Sequence, residues 1–145
     1  EEETSSLMKP GYLKELKILR SNLGIENRVT FMGPQSVKSI QSWYRHVDVF
    51  VYPSKYENFG QPILEAAASG LPIISTKVGV ACELIENGKT GFLVTEEPDE
   101  IARRIKELAL NNKRKEMGEA IQKKVENKFG WQGIIQKYKD LYESL

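Results

Sequence analysis

The chain predicts an α/β fold, a parallel sheet flanked by helices, and three observations carry that reading. Val47, Val49, Phe50, Val51 and Tyr52 form a near-continuous apolar, β-prone run, the pattern of a strand covered on both faces as parallel strands are. Ile73, Ile74, Ser75 and Thr76 form a second run, with a helical stretch between the two, so strand, helix and strand follow one another as in a parallel crossover. A third short strand at residues 92–94 is followed, from Pro98 onward, by helical patterns alone.

Taken in order, residues 1–9 are polar and acidic and predict a loop or a frayed end. Pro10 and Gly11 open a helix through about Asn22, with Leu13, Leu16, Leu19 and Leu23 at helical spacing, and Gly24 ends it. Residues 28–32 read as a strand with Gly33 and Pro34 as the turn at its carboxyl end. Ser36 is an N-cap for a helix through Arg45, whose inward residues are Val37, Ile40, Trp43 and Tyr44, the last two as core or domain-contact residues. His46 closes that helix, where a cation suits the dipole.

Pro53 and Ser54 stop the first apolar run. Gln61 followed by Pro62 marks the start of a helix through Ser69, because proline in the first turn gives up only an amide that has no helical partner; Gly70 stops it and Leu71 and Pro72 turn the chain into the next strand. Residues 77–80 form a loop, and residues 81–85 one helical turn. Gly88, Lys89 and Thr90 match the end of a phosphate-binding P-loop, but that motif requires glycine five positions before Gly88, and position 83 is glutamate. A turn feeding the strand at 92–94 is the better account. Further on, Ile101, Ile105, Leu108 and Ala109 form an apolar stripe, with Glu100 and Arg104 as an i,i+4 surface pair. Residues 112–127 are strongly charged, with a sparse apolar face at Met117, Ile121 and Val125. Phe129, Gly130 and Trp131 restart the chain into a last helix whose Ile134, Ile135, Tyr138, Leu141 and Tyr142 are expected to pack back on the sheet.

Composition narrows the function. At 145 residues the chain can bury one core, and 21 basic against 20 acidic residues leave no bulk field to draw nucleic acid. Cys82 and His46 are the only residues of their kinds, which removes intramolecular disulfides, cysteine-rich zinc sites and two-histidine chemistry, and suits a reducing, cytoplasmic setting. No apolar run reaches the roughly 20 residues that span a bilayer. Peripheral membrane contact stays open, through parts of a longer protein outside this sequence.

The chemistry concentrates after the first apolar run. The loop at residues 54–61 lies beyond the carboxyl end of a parallel strand and before a helix, the edge at which open α/β sheets take ligands. Amides of Asn58, Phe59 and Gly60, joined by those of Ile63, Leu64 and Glu65 at the start of the helix, are expected to form a partly positive pocket for a phosphate, with Gly60 permitting close approach. Glu57 and Glu65, with seven residues between them, add acceptors for hydroxyl pairs. Phosphates together with vicinal diols describe a nucleotide sugar.

The string ENFGQPILE at residues 57–65, followed by AAASGLP at 66–72, resembles the signature of the glycosyl transferase group 1 family, retaining enzymes of GT-B fold. VTFMG at 29–33, the strand before Ser54 and ENGKTGFLV at 86–94 extend the likeness from about Arg28 to the C-terminus. The resemblance implies the Rossmann-like, donor-binding C-terminal domain of such an enzyme over residues 1–145, with residues 98–145 as its helical part. It implies glycosyl transfer from a nucleotide diphosphate sugar to an acceptor hydroxyl with retention, Glu57 contacting the donor sugar as the catalytic candidate and Glu65 holding the ribose. Asn58, Phe59, Gly60, Gln61, Ile63 and Leu64 complete the donor site, and Met32, Gly33 and Pro34 lie on the nucleobase side. No metal or other cofactor and no nucleic acid is expected.

The resemblance also implies what this sequence does not contain: an N-terminal acceptor-binding domain and two earlier strand-helix segments with a basic pair for the pyrophosphate. A chain lacking the first two strands of that pattern is expected to be a piece of a longer enzyme and inactive alone. Two rivals share the scaffold, a noncatalytic nucleotide-binding or interaction module and a GT-B phosphorylase or epimerase relative. Loss of nucleotide-sugar binding on altering either glutamate separates the transferase reading from a scaffold.

Overall fold

The computed structural model describes residues 11–110 and 113–144. The expectations for residues 1–10 and for Asn112 lie outside the described residues. The chain divides into two compact units, with the boundary after Ile40.

In the first unit, α1 (Tyr12–Asn22) begins at Gly11, whose φ of 84° suits glycine, and ends at Leu23 and Gly24. Its leucine stripe is not buried: Leu13, Leu19 and Leu23 are exposed. Residues 28–32, expected as a strand, form none. A strand exists through its ladder, and the backbone of Val29 is satisfied locally instead: its N–H donates to Ile25 O at 3.2 Å and its carbonyl accepts from Arg20 Nη1 at 3.1 Å. Gly33, at φ 64°, makes the expected turn, and Gln35 Nε2 donates to Met32 O at 2.7 Å.

Helix α2 (Val37–His46) spans the boundary. Ser36 Oγ accepts the Ser39 amide at 3.2 Å, an N-cap bond, and His46 Nδ1 lies 2.7 Å from Ser42 O in the last turn. Of the predicted inward stripe only Tyr44 is buried; Val37 and Trp43 are exposed, so the stripe is covered only near its C-terminal end.

The second unit is built on three parallel strands in the order β1 (Phe50–Tyr52), β2 (Ile73–Thr76), β3 (Gly91–Val94), with Phe50 beside Ile73 and Ile73 beside Gly91. Strand β2 is buried throughout, because a central parallel strand has both faces covered. β1 is shorter than its apolar run. Val47 still donates to Trp43 O at the end of α2, and β1 stands at the edge of the sheet among the described residues. Alternation along β1 turns Val49 and Val51 toward a core of Ile74, Phe92, Val94, Leu108 and Met117. Phe50 and Tyr52 take the opposite face.

Helices α3 (Gln61–Ala68) and α4 (Ala81–Leu84) make the two crossovers, and α5 (Pro98–Leu110), α6 (Lys113–Phe129) and α7 (Trp131–Glu143) follow. Glu100 does not pair with Arg104 as expected. Its carboxylate caps the start of α5, accepting the Thr95 amide at 2.8 Å and hydroxyl at 2.6 Å, while Arg104 lies 4.3 Å from the centroid of Phe92 and bonds Glu107 at 2.8 Å. Met117, Ile121 and Val125 of α6 are buried as predicted. Gly118 lets that helix close on α3, since a Cβ there would stand 2.0 Å from Gly70 O. α7 departs from expectation: it buries no residue, and Tyr138, Leu141 and Tyr142 are exposed rather than packed on the sheet. Gly130 turns the chain out of α6 at an extended ψ of 136°, and α6 itself meets β3.

Candidate active site

The sheet ends in a set of hydroxyl locks. Ser75 Oγ donates to Tyr52 O at 3.2 Å and Thr76 Oγ1 donates to Ser54 O, tying the carboxyl ends of β1 and β2 together. The loop that leaves β1 is held from the other side by the loop that leaves β2. Val80 N donates to Phe59 O at 2.7 Å, and a Cβ on Gly79 would lie 2.4 Å from that same oxygen. Only glycine, at φ 45°, admits this approach. The Phe59 ring meets Phe129 edge-on at 6.4 Å between centroids, so the end of α6 also braces the turn.

Each glutamate is held by a tyrosine. Tyr52 Oη donates to Glu57 Oε2 at 2.7 Å; Tyr44 Oη donates to Glu65 Oε2 at 3.3 Å, and Gln61 Nε2 donates to Glu65 Oε1 at 3.0 Å. The two tyrosine rings flank Phe50, with Tyr44 edge-on at 5.8 Å and Tyr52 stacked at 5.9 Å. One aromatic row therefore runs beneath both carboxylates, which the fold brings to the same face of the sheet rather than to opposite surfaces.

The electrostatics follow from these contacts. The Tyr52 hydroxyl, opposed by partial desolvation and joined by the nearby amides of Asn58, Phe59 and Gly60, lowers the Glu57 carboxyl below its usual value. Tyr52 is pushed up to about 12, first by its bond to Glu57 and then by burial and the carboxylate charge. Tyr44 also rises to about 12, mainly through burial, then through the Glu65 charge and hydrogen bond. Both phenols remain neutral donors at ordinary pH.

These contacts change the expected phosphate cradle. The amides of Ile63 and Leu64 are not free, because both donate to Gly60 O, at 2.9 and 3.3 Å. Gly60, at φ 83°, is the residue before the helix, and its carbonyl receives the first-turn donors. The loop amides turn toward Glu57 itself. Gly60 is buried, and a Cβ there would meet Ile63 Cδ1 at 3.0 Å and Glu57 Cγ at 3.4 Å, so it serves the turn's packing. Asn58 Oδ1 accepts from Tyr56 Oη at 2.7 Å. Met32, Gly33 and Pro34 belong to the first unit. An open depression of about 510 Å³, lined by Pro53, Lys55, Glu96 and Ile101 among others, includes neither glutamate. Among the described residues no group of three or more His, Cys, Asp or Glu could hold a metal ion, and no helix is long and apolar enough to cross a membrane.

The tyrosine partners were the residues missed in sequence. For Tyr52 a signal was present in the alternation Val49, Phe50, Val51, Tyr52, which puts two aromatics on one face two residues apart; for Tyr44 on α2 there was none.

A three-stranded parallel sheet flanked by helices defines the class: a Rossmann-like α/β domain. Residues 9–124 match the model of the Glycosyl transferases group 1, and the chain belongs to that family. It is 34% identical over 135 residues to the D-inositol 3-phosphate glycosyltransferase of Corynebacterium jeikeium, covering 92% of this chain and 32% of that protein. It is 35% identical to the spore coat protein SA of Bacillus subtilis, covering 91% and 36%. Among solved structures, the Anabaena Alr3699/HepE complex with UDP-glucose superposes with a TM-score of 0.82 at 32% identity, covering 96% of this chain and 38% of that one. The chain thus spans about a third of the length of these relatives.

Proposed function

We propose that this domain supplies the donor site of a glycosyltransferase that moves a sugar from a nucleotide diphosphate sugar to an acceptor hydroxyl with retention at the anomeric carbon. The observation that carries this reading is the pair of tyrosine-held carboxylates, Glu57 on the loop after β1 and Glu65 on α3, joined through one aromatic row. Glu65 accepts the ribose hydroxyls and Glu57 those of the donor sugar, each carboxylate having acceptor capacity beyond its tyrosine bond. Asn58, Phe59, Gly60 and Gln61 frame the sugar and diphosphate, and Ile63 and Leu64 fix the start of α3, whose dipole favours the phosphates.

As the sugar-to-diphosphate bond breaks and the bond to the acceptor oxygen forms on the same face, negative charge grows on the departing diphosphate, which leaves with the acceptor proton. Fixed dipoles stabilise that charge without reorganising. The relatives support the class: one is a glycosyltransferase and another is a structure in complex with UDP-glucose. We take the reaction to need no metal, and assign the acceptor to another domain of a longer cytoplasmic protein. The isolated chain then turns over no donor.

Calorimetric titration with UDP-, GDP- and ADP-sugars tests the proposal. Glu57→Gln and Glu65→Gln should each weaken binding of the preferred nucleotide sugar by about tenfold, the scale of a hydrogen bond to a charged group. Affinity untouched by both substitutions would remove the glutamates from the site.

A further inference from the structure

We propose that Tyr52 and Tyr44 are positioning residues that divide the donor between them, Tyr52 aiming Glu57 at the sugar and Tyr44 aiming Glu65 at the ribose, with Phe50 fixing both rings in one row. The inference rests on the donor-site reading above and adds three aromatic residues that lie outside the glutamate motif.

The geometry distinguishes the two tyrosines. Tyr52 is the last residue of β1, paired to Ser75 in the sheet, with its carbonyl accepting from Ser75 Oγ at 3.2 Å. Its backbone is therefore fixed, while Glu57 stands on an irregular loop and takes its direction from the 2.7 Å bond to the Tyr52 hydroxyl. A glutamate on a loop has three rotatable side-chain bonds, and the short bond from a rigid side-chain donor, together with the loop amides, selects among their rotamers. Tyr44 is buried in α2 and reaches Glu65 at 3.3 Å on a regular helix, where Gln61 holds the other carboxylate oxygen. Glu65 thus has two side-chain holders, while Glu57 has the Tyr52 hydroxyl together with the nearby amides of Asn58, Phe59 and Gly60. The Tyr52 bond is the shorter of the two tyrosine bonds, 2.7 against 3.3 Å, so the sugar-facing acid depends on its tyrosine more than the ribose-facing acid does.

Phe50 makes the pair a unit. With its centroid 5.8 Å from Tyr44 and 5.9 Å from Tyr52, it leaves neither ring free to swing without disturbing the other. Both phenols, each raised to about 12, stay protonated donors at neutral pH.

The test uses the whole protein that carries these residues, titrated with UDP, GDP and ADP and with their glucose and mannose conjugates. Its readout is the ratio of affinities for the sugar conjugate and for the bare diphosphate. Tyr52→Phe keeps the ring and should lower conjugate affinity by about tenfold while leaving diphosphate affinity within about twofold. Joined to Glu57→Gln, it should add nothing beyond Glu57→Gln alone, since it acts through that residue. Tyr44→Phe should weaken conjugate and diphosphate together, by about threefold, because Gln61 still holds Glu65.

If Glu57→Gln weakens the conjugate and Tyr52→Phe does not, the positioning role is overturned and the donor site stands. Equal loss of conjugate and diphosphate in Tyr52→Phe signals a packing role and also overturns it. If no diphosphate binds the wild type, or neither glutamate substitution has any effect, the donor-site reading falls and this inference falls with it.

Discussion

Helices α6 and α7 are neighbours in sequence and opposite in fate. α6 is the more charged, with Lys113, Arg114, Lys115, Lys123 and Lys124 along it, yet it buries Met117, Gly118, Ile121 and Val125. α7 carries Trp131, Ile134, Ile135, Tyr138, Leu141 and Tyr142 at helical spacing, yet buries none of them. An apolar stripe specifies which face a helix would bury, while burial itself requires a partner surface. For α6 the partner is present, because Gly118 admits the Gly70 carbonyl and Gln122 Nε2 donates to Ala68 O at 3.1 Å.

The strongest way to break this contrast is to cut into the covered side. Ile121 is fully buried, and Ile121→Ala is expected to cost about 3 to 4 kcal/mol, from lost transfer energy and the cavity left behind. Denaturant unfolding measures it. A loss below about 1 kcal/mol would mean that α6 is not packed as described.

The same contrast explains how much was legible in the sequence. The order of strands and crossovers, and the helix start at Gln61 and Pro62, were readable because they depend on short runs and on local turn chemistry. The two glutamates proposed as the site stand out in the sequence for their spacing around a glycine turn. Their supports do not, because the Tyr44 contact to Glu65 and the Gly79 contact to Phe59 join residues 21 and 20 positions apart, and nothing local encodes such a pairing. Residues 28–32 failed for the reason that α7 did: a pattern suited to a sheet or core forms one only where backbone or side-chain partners meet it.

Acid titration sharpens the comparison at smaller scale. Lys124 on α6 bonds Glu86 at 2.6 Å and is the main cause holding the Glu86 carboxyl below its ordinary value of 4.5. A carboxyl lowered in the folded state contributes stability that is present above its unfolded value and is lost as pH falls through the lower, folded one. Lys124→Met should therefore lower Tm slightly at pH 7 and leave it unchanged below the folded value, flattening the acid limb. Parallel Tm–pH curves for the two proteins would show that the pair does not anchor α6.

The smallest effect belongs to α7. Tyr138 is 58% exposed, and serine has nearly the helix propensity of tyrosine, so Tyr138→Ser changes neither a packed surface nor the backbone's preference. The expected change in unfolding free energy is within about 0.5 kcal/mol, the range of surface substitutions. Denaturant unfolding of the 145-residue chain, run beside Ile121→Ala, places both helices on one scale. A loss above about 2 kcal/mol for Tyr138→Ser would be a core-sized penalty. It would mean that the aromatic face of α7 is covered in solution, and the difference between the two helices would disappear.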